Sequence, residues 1–270
     1  PESGKASAGI NTAVEHVSWQ QEWIAQDERR QRTTPEGPIG LGFRVPMVVA
    51  SPWSRGGWVN SQVFDLTSPI QFLEHLFSHK TGRKVVCGNV TSFRRAICGD
   101  MTSVFRPWRG EKVTLPTPVE RQTHLEAIHR AQFKGLPTGF HRLSAEDVAA
   151  LNRGDAAARR FMPRQEEGTR PANALPYELR VDGHVVAGAF RMRLACGREI
   201  FGPRAAGAPF TVRTPGPDAP PRNYAVLPGD ALEDEWKLPP EGRYHLTVHG
   251  PNGFFREFTG SAADPALRVT

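Results

Sequence analysis

The sequence is short of the features that most quickly point to a function. Only three of its 270 residues are cysteine: Cys87, Cys98 and Cys196. None belongs to a Cys-x-x-Cys pair and no Cys/His spacing suits a zinc site, and cysteine use does not settle the compartment. Cys87 and Cys98 flank a short polar segment, and a local disulfide and two separate buried thiols both remain open. No run approaches the roughly 18 apolar residues of a membrane span. No basic run interleaved with aromatics marks a nucleic-acid stripe, so no nucleic-acid partner is expected. Pro1 to Gly4 show no initiator Met, charged region or apolar core, so no signal peptide is read there. Charge of one sign is also scarce. The 34 Lys+Arg against 28 Asp+Glu leave a net +6, which suits an anionic surface but is too modest to designate a partner.

With 39% hydrophobic and 23% charged residues, the composition is that of a globular chain, long enough for one large or two modest domains. Val14 to Gln31 has helical spacing, with Val17, Trp19, Trp23 and Ile24 on one side, before a proline-rich break. Phe43 to Ala50 is nearly continuous in apolar residues and reads as a strand buried on both faces of a parallel sheet. A loop rich in glycine and tryptophan follows. Ser68 and Pro69 then read as N-cap and first turn of a helix, Pro69 to Phe77, burying Ile70, Leu73 and Phe77. His75 and His79 lie four apart on it. With no third ligand nearby they read as a solvated face rather than a metal pair. Arg94 and Arg95 have the forked donors that suit a phosphate, but pairing with carboxylates or capping is the favoured reading. Helical pieces are expected at Pro118 to Lys134 and after Ser144. Beyond Tyr177 short alternating runs recur at 177–181, 185–191, 210–213, 223–227, 244–248 and 254–259. They are punctuated by turn residues, including the hairpin turn Gly250-Pro-Asn-Gly253, and indicate a small all-β sandwich of immunoglobulin size.

Four phrases carry a resemblance. They are RVPMVVASPWSRGGWVNSQVFD (44–65), SFRRAICGDMTSVF (92–105), PRQEEGTRPANALPY (163–177) and YHLTVHGPNGFFREFTG (244–260). In this order they resemble the bacterial phosphocholine-preferring phospholipases C, which are alkaline-phosphatase-like hydrolases related to acid phosphatases. The resemblance implies an α/β catalytic domain followed by a β-sandwich. Residues 1–110 would be the C-terminal part of the catalytic domain, 111–171 a helical connector, 172–262 the β domain and 263–270 the start of a second one. It further implies a nucleophile upstream of Pro1, a divalent metal possible in that upstream segment with no cofactor held by this chain, a phospholipid or membrane-surface partner, and a secreted or periplasmic location. The expected reaction is hydrolysis of the glycerol-side phosphodiester of phosphatidylcholine-type lipids. The alternatives are a noncatalytic lipid- or partner-binding fragment and an acid phosphatase.

The residues expected to touch substrate are Trp53, Ser54, Arg55, Trp58 and Asp65. Aromatic faces hold a trimethylammonium group, and an arginine beside them meets phosphate. Paired glycines let backbone N–H groups approach an anion. The competing reading packs both tryptophans onto the sheet and pairs Arg55 with Asp65. Where the family phrase reads Phe-Asp-His-Thr-Ser this chain has Leu66, which can neither donate nor shuttle a proton. Near the C-terminal hairpin, Phe254 and Phe255 should point to opposite faces, with His249 and Arg256 beside them as an edge able to touch lipid.

Overall fold

A computed structural model of the protein describes residues 4–17, 37–38, 41, 46–112, 118, 120–136, 138–139, 142–162, 170–215 and 220–264. They gather into two compact units, one formed by Pro1–Arg109 with Ala172–Thr270, the other by Gly110–Pro171.

The first unit is organised around a β-sandwich. One sheet runs β1-β7-β6-β9-β10, from Gly4–Ala6 (β1), Ala208–Arg213 (β6), Arg222–Val226 (β7), Arg243–His249 (β9) and Phe255–Ser261 (β10). The other runs β4-β5-β8, from Leu179–Val186, Ala189–Cys196 and Asp230–Lys237. Period-two alternation sets which side chains meet. Phe190, Met192 and Leu194 of β5 are buried while Arg191 and Arg193 between them are exposed. Phe210 and Val212, Val226, and Leu246 and Val248 face them from the opposite sheet and share one apolar core. Each large side chain so buried stabilises the fold by about 1.5–3 kcal/mol.

The β reading of this region holds, with two differences. The run 185–191 is not one strand, because Ala187 and Gly188 take φ 49° and 76° and turn β4 back into β5. An Ala-Gly pair makes the tight hairpin turn with positive φ at both positions, which apolar patterning does not show. The strand β8, sequence DALEDEWK, was missed because its four acidic residues hide an alternation in which Leu232 and Trp236 pack against the core. The hairpin turn at Pro251–Gly253 is present, with φ 54° at Asn252 and 73° at Gly253.

Upstream, the expected strand at 43–50 is corrected in its described part. Pro46–Ala50 is not a strand, and Met47 and Val48 are 52% and 93% exposed; residues 43–45 lie outside the described residues. An apolar run becomes a parallel strand only beside partner strands, and none pairs with it among the described residues. The expected helix from Val14 gives way at its start to a 3-10 turn, Ala13–Glu15, and a short strand His16–Val17 (β2) paired with Gly37–Pro38 (β3); Trp19, Trp23 and Ile24 lie outside the described residues, as do 265–270. The first helix, α1, spans Ser68–Thr81, with Thr67 rather than Ser68 at its N-cap. Its apolar side is corrected too: Ile70, Leu73 and Phe77 are 38–47% exposed, while Ser68 and Gln71 are buried. Periodicity identifies a face but not what covers it.

A second helix, α2 (Ser92–Ile97), is capped by Thr91 and packs on the sandwich, with Ile97 and Cys98 buried against Ala225 of β7. Ala6, Ile10 and Val63 pack on the same cluster. The N-terminal segment thus crosses from the sheet to α2. β1 runs parallel to β7, and Leu227 N–H donates to Ser7 Oγ at 3.0 Å.

The second unit holds α3 (Arg121–Ala131), N-capped by Glu120, and α4 (Ala145–Arg153). At α4 the expected N-cap is realised as a full capping box between Ser144 and Asp147.

Gly4 takes φ +124°, and a Cβ there would lie 1.8 Å from Asn223 O. Gly4→Ala is therefore expected to detach β1 and lower stability by about 1–3 kcal/mol. Thermal unfolding, with backbone hydrogen exchange at Asn223–Ala225, checks this. An unchanged midpoint with unchanged protection would contradict the pairing.

Candidate functional site

The loop after Ala50 is shaped by its own serines. Ser54 Oγ donates to Val49 O at 3.0 Å and lies 2.9 Å from Ser51 Oγ, and Trp53 N–H donates to Ser51 Oγ at 3.2 Å. Gly56 and Gly57 follow at φ +108° and +64°, and a Cβ on Gly56 would meet Trp58 Nε1 at 2.7 Å. This glycine turn returns the chain so that Trp58 lies under Arg106, whose Cζ is 3.9 Å from the indole centroid. Arg55 sits over Trp108 at 5.5 Å, and Arg106 N–H donates to Trp53 O at 3.1 Å. Trp53 remains 68% and Trp58 37% exposed.

Beside this stack is a cleft of about 290 Å³, lined by Ser54, Trp58, Asn60, Gln62, Arg106 and Asn173 among others. Three of the lining amides are tied together by Ser103. Asn60 Nδ2 donates to Ser103 Oγ at 2.9 Å, Ser103 Oγ donates to Gln62 Oε1 at 2.5 Å, and Asn173 Nδ2 donates to Ser103 O at 3.3 Å. An arginine with fixed amides and hydroxyls has the chemistry of an oxyanion site. It does not fit a divalent metal: the lining has no carboxylate, and a guanidinium opposes a cation. Among the described residues no cluster of three His, Cys, Asp or Glu could hold one.

The expected substrate residues are therefore only partly brought together. Trp53, Ser54, Arg55 and Trp58 share one loop. Asp65 is elsewhere, buried in a charge node around Arg94. Its Oδ1 accepts from Thr67 N–H and Thr67 Oγ1 at 2.8 and 2.6 Å, and its Oδ2 accepts from Arg94 Nη1 at 2.9 Å. The same guanidinium grips Glu15 through Nε, at 3.1 and 3.0 Å to the two carboxylate oxygens, and through Nη2. Thr91 Oγ1 donates to Glu15 at 2.7 Å. The Arg94 hydrogen bonds hold the Glu15 carboxyl below its ordinary value against burial. Burial pushes Asp65 up, but the Thr67 and Arg94 hydrogen bonds bring it net below its ordinary value.

Arg95 is likewise structural. Its Nη1 and Nη2 donate to Glu74 of α1 at 2.7 and 2.8 Å, and they hold that carboxyl down at about 2. Carboxylate pairing is thus what both arginines do. Leu66, where the family phrase carries histidine, is 77% exposed at the entrance to α1. His75 Nε2 lies 2.7 Å from Asp100 Oδ2, and both it and His79 are exposed. Phe254 and Phe255 part as expected, Phe254 packing on the core and Phe255 46% exposed, with Arg256 5.2 Å over the Phe254 ring. The three cysteines are free, and burial pushes the Cys98 and Cys196 thiols up to about 12, leaving them unreactive.

Asn60, Gln62, Ser103, Arg106, Trp108 and Asn173 were missed. The one signal for them was the Arg106-Pro-Trp108 spacing, which repeats the arginine–indole alternation of Trp53 to Trp58. Amides carry no such pattern.

Residues 171–261 match the bacterial phospholipase C C-terminal domain, and residues 10–80 match the phosphoesterase family. The non-hemolytic phospholipase C of Pseudomonas aeruginosa is 39% identical over 246 residues, 89% of this chain and 30% of that protein. That of Burkholderia pseudomallei is 39% identical over 249 residues, 84% of this chain and 29% of the relative. The chain thus carries a match to the bacterial phospholipase C C-terminal domain and one to the phosphoesterase family, and is similar over most of its length to bacterial phospholipases C. The hemolytic phospholipase C of P. aeruginosa, 35% identical over 256 residues, is a further relative, of which 33% is covered. The chain therefore spans about a third of the length of the curated relatives it matches. Ile10, Leu41 and Val63 of its phosphoesterase-matching segment pack on the cluster of Ile97, Cys98 and Ala225, the last of these in the C-terminal β domain.

Arg94→Ala leaves Glu15 and Asp65 buried without their counter-charge, so a loss of about 3–5 kcal/mol is expected in urea unfolding, with Arg94→Lys recovering part of it. For Glu74, the folded value of about 2 lies below its ordinary 4.5. The Arg95 pairing thus stabilises fully above pH 4.5 and fades as pH falls toward 2. The Tm gap between parent and Arg95→Gln should close over that window. A gap constant with pH would contradict it.

Proposed function

We propose that this chain contributes the substrate wall and the β domain of a phospholipase C that hydrolyses the glycerol-side phosphodiester of phosphatidylcholine-type lipids, releasing diacylglycerol and phosphocholine. The observation that carries the reading is 39% identity over 89% of the chain to a phospholipase C. The cleft supports it. Arg106 and the Asn60, Gln62 and Asn173 amides line it and are donors of the kind that suits phosphoryl oxygens, and the exposed Trp53 indole is of the kind that suits a trimethylammonium group. Trp58 is covered by Arg106, so its task is to orient that guanidinium. Ser54 donates its hydroxyl proton to Val49 O, a bond that shapes the loop rather than activating a nucleophile. On this reading the nucleophile, and any metal polarising the phosphate, belong to the remainder of an alkaline-phosphatase-like domain of which residues 10–80 are a part. The site of action is a phospholipid surface outside the cytoplasm. No described helix is long and apolar enough to cross a membrane.

The test is a chimera in which these 270 residues replace the matching segment of the P. aeruginosa non-hemolytic enzyme. It should release p-nitrophenol from p-nitrophenylphosphorylcholine, and Arg106→Ala should lower kcat/KM roughly 10- to 100-fold. A folded chimera that cleaves p-nitrophenyl phosphate but not the diester would replace this reading with an acid phosphatase.

A further inference from the structure

We propose that the tryptophan–arginine surface formed by residues 53–58 and 105–109 is a docking face for an anionic phospholipid bilayer. Trp53 and Trp108 are 68% and 55% exposed, a costly way to leave two indoles unless something apolar receives them. They belong to one surface. Arg106 N–H donates to Trp53 O at 3.1 Å. A shallow apolar depression of about 440 Å³ is lined by Trp53, Phe72, Phe105, Arg106 and Pro107. Arg55 lies over the Trp108 ring at 5.5 Å. The two segments contain three arginines, Arg55, Arg106 and Arg109, and no carboxylate.

That combination selects the occupant. Indoles settle at the headgroup level of a bilayer, with the ring at the acyl boundary and the N–H in the wet layer. Arginines at the same height meet lipid phosphates and favour an anionic leaflet. Stacking on an indole keeps Arg55 beside the aromatic anchor, so cation and ring reach the interface together. The φ +108° turn at Gly56 fixes this presentation, because a side chain there would strike Trp58. The inference rests on the phospholipase C reading for its biological sense and extends it to how the enzyme reaches a membrane.

The experiment is co-sedimentation of the 270-residue chain with vesicles of phosphatidylcholine alone and of phosphatidylcholine mixed with phosphatidylglycerol. Tryptophan quenching by brominated lipid is read in parallel. Binding is expected on the mixed vesicles, with quenched emission. Trp53→Phe/Trp108→Phe should lose most of the quenching. Arg55→Gln/Arg109→Gln should weaken binding to the anionic vesicles roughly fivefold per charge removed, at unchanged circular dichroism and Tm. A folded chain that ignores anionic vesicles overturns the proposal, as do double variants that bind like the parent. So does equal binding to heparin without lipid quenching, which would mark a soluble polyanion or protein surface. Turnover by the chimera is a separate readout. Docking without turnover sinks the hydrolase reading alone, and turnover without docking through these residues sinks this one.

Discussion

The Arg94 guanidinium is the constraint around which the larger unit is arranged. It joins three stretches distant in sequence: the N-terminal segment through Glu15, the entrance to α1 through Asp65, and its own helix α2. All three side chains are largely buried, at 16%, 10% and 5% exposure for Arg94, Glu15 and Asp65. A lone buried carboxylate would protonate or draw in water. Two of them flanking one fork remain ionised, because each carboxylate oxygen meets a donor from Arg94, Thr91 or Thr67. Such a node adds less stability than an apolar core of equal volume, but it tolerates only one arrangement of its parts.

The functional surface depends on that arrangement at one remove. Asp65 closes the segment that begins in the tryptophan loop, and its hydrogen bonds to Thr67 set where α1 starts. Arg95, next along α2, pins α1 through Glu74. Past α2, the chain returns through Ser103, which ties together the Asn60, Gln62 and Asn173 amides of the cleft, and through Arg106, the cation that lines it. The β domain closes the other side. Asn173 reaches Ser103 O and Val59 O, and Tyr177 Oη accepts from Val63 N–H at 2.9 Å. The phosphoesterase-matching segment and the β domain are therefore joined by directed polar bonds as well as by apolar contact.

The sequence was most legible where burial alternates and turns carry their own chemistry. Phe210, Val212, Leu246 and Val248 announced their strands, and Asn252-Gly253 its turn. Leu232 and Trp236 did not, because charge dominates their strand. At 43–50 the apolar run has the pattern of a buried strand, yet Met47 and Val48 are exposed; a sequence carries its own apolarity but not its neighbours. The same limit left α1 correctly placed and its face wrongly covered. In the site, the aromatic and glycine residues mark the loop, and the structure sets Trp58 of that loop against the Arg106 guanidinium. Asp65 was drawn in by proximity along the chain, whereas its partner Arg94 is 29 positions away. The amides of Asn60, Gln62 and Asn173 gain meaning only from the network that assembles them.

Native-state hydrogen exchange on the full chain, read segment by segment, tests the central claim most directly. If the Arg94 node binds the N-terminal segment and α2 to the sandwich, the hydrogen-bonded amides of Gly4–Glu15 and Ser92–Cys98 will open together with those of β7. If these segments exchange freely while β6, β7 and β9 stay protected, the sandwich stands alone, and the node does not hold the unit together.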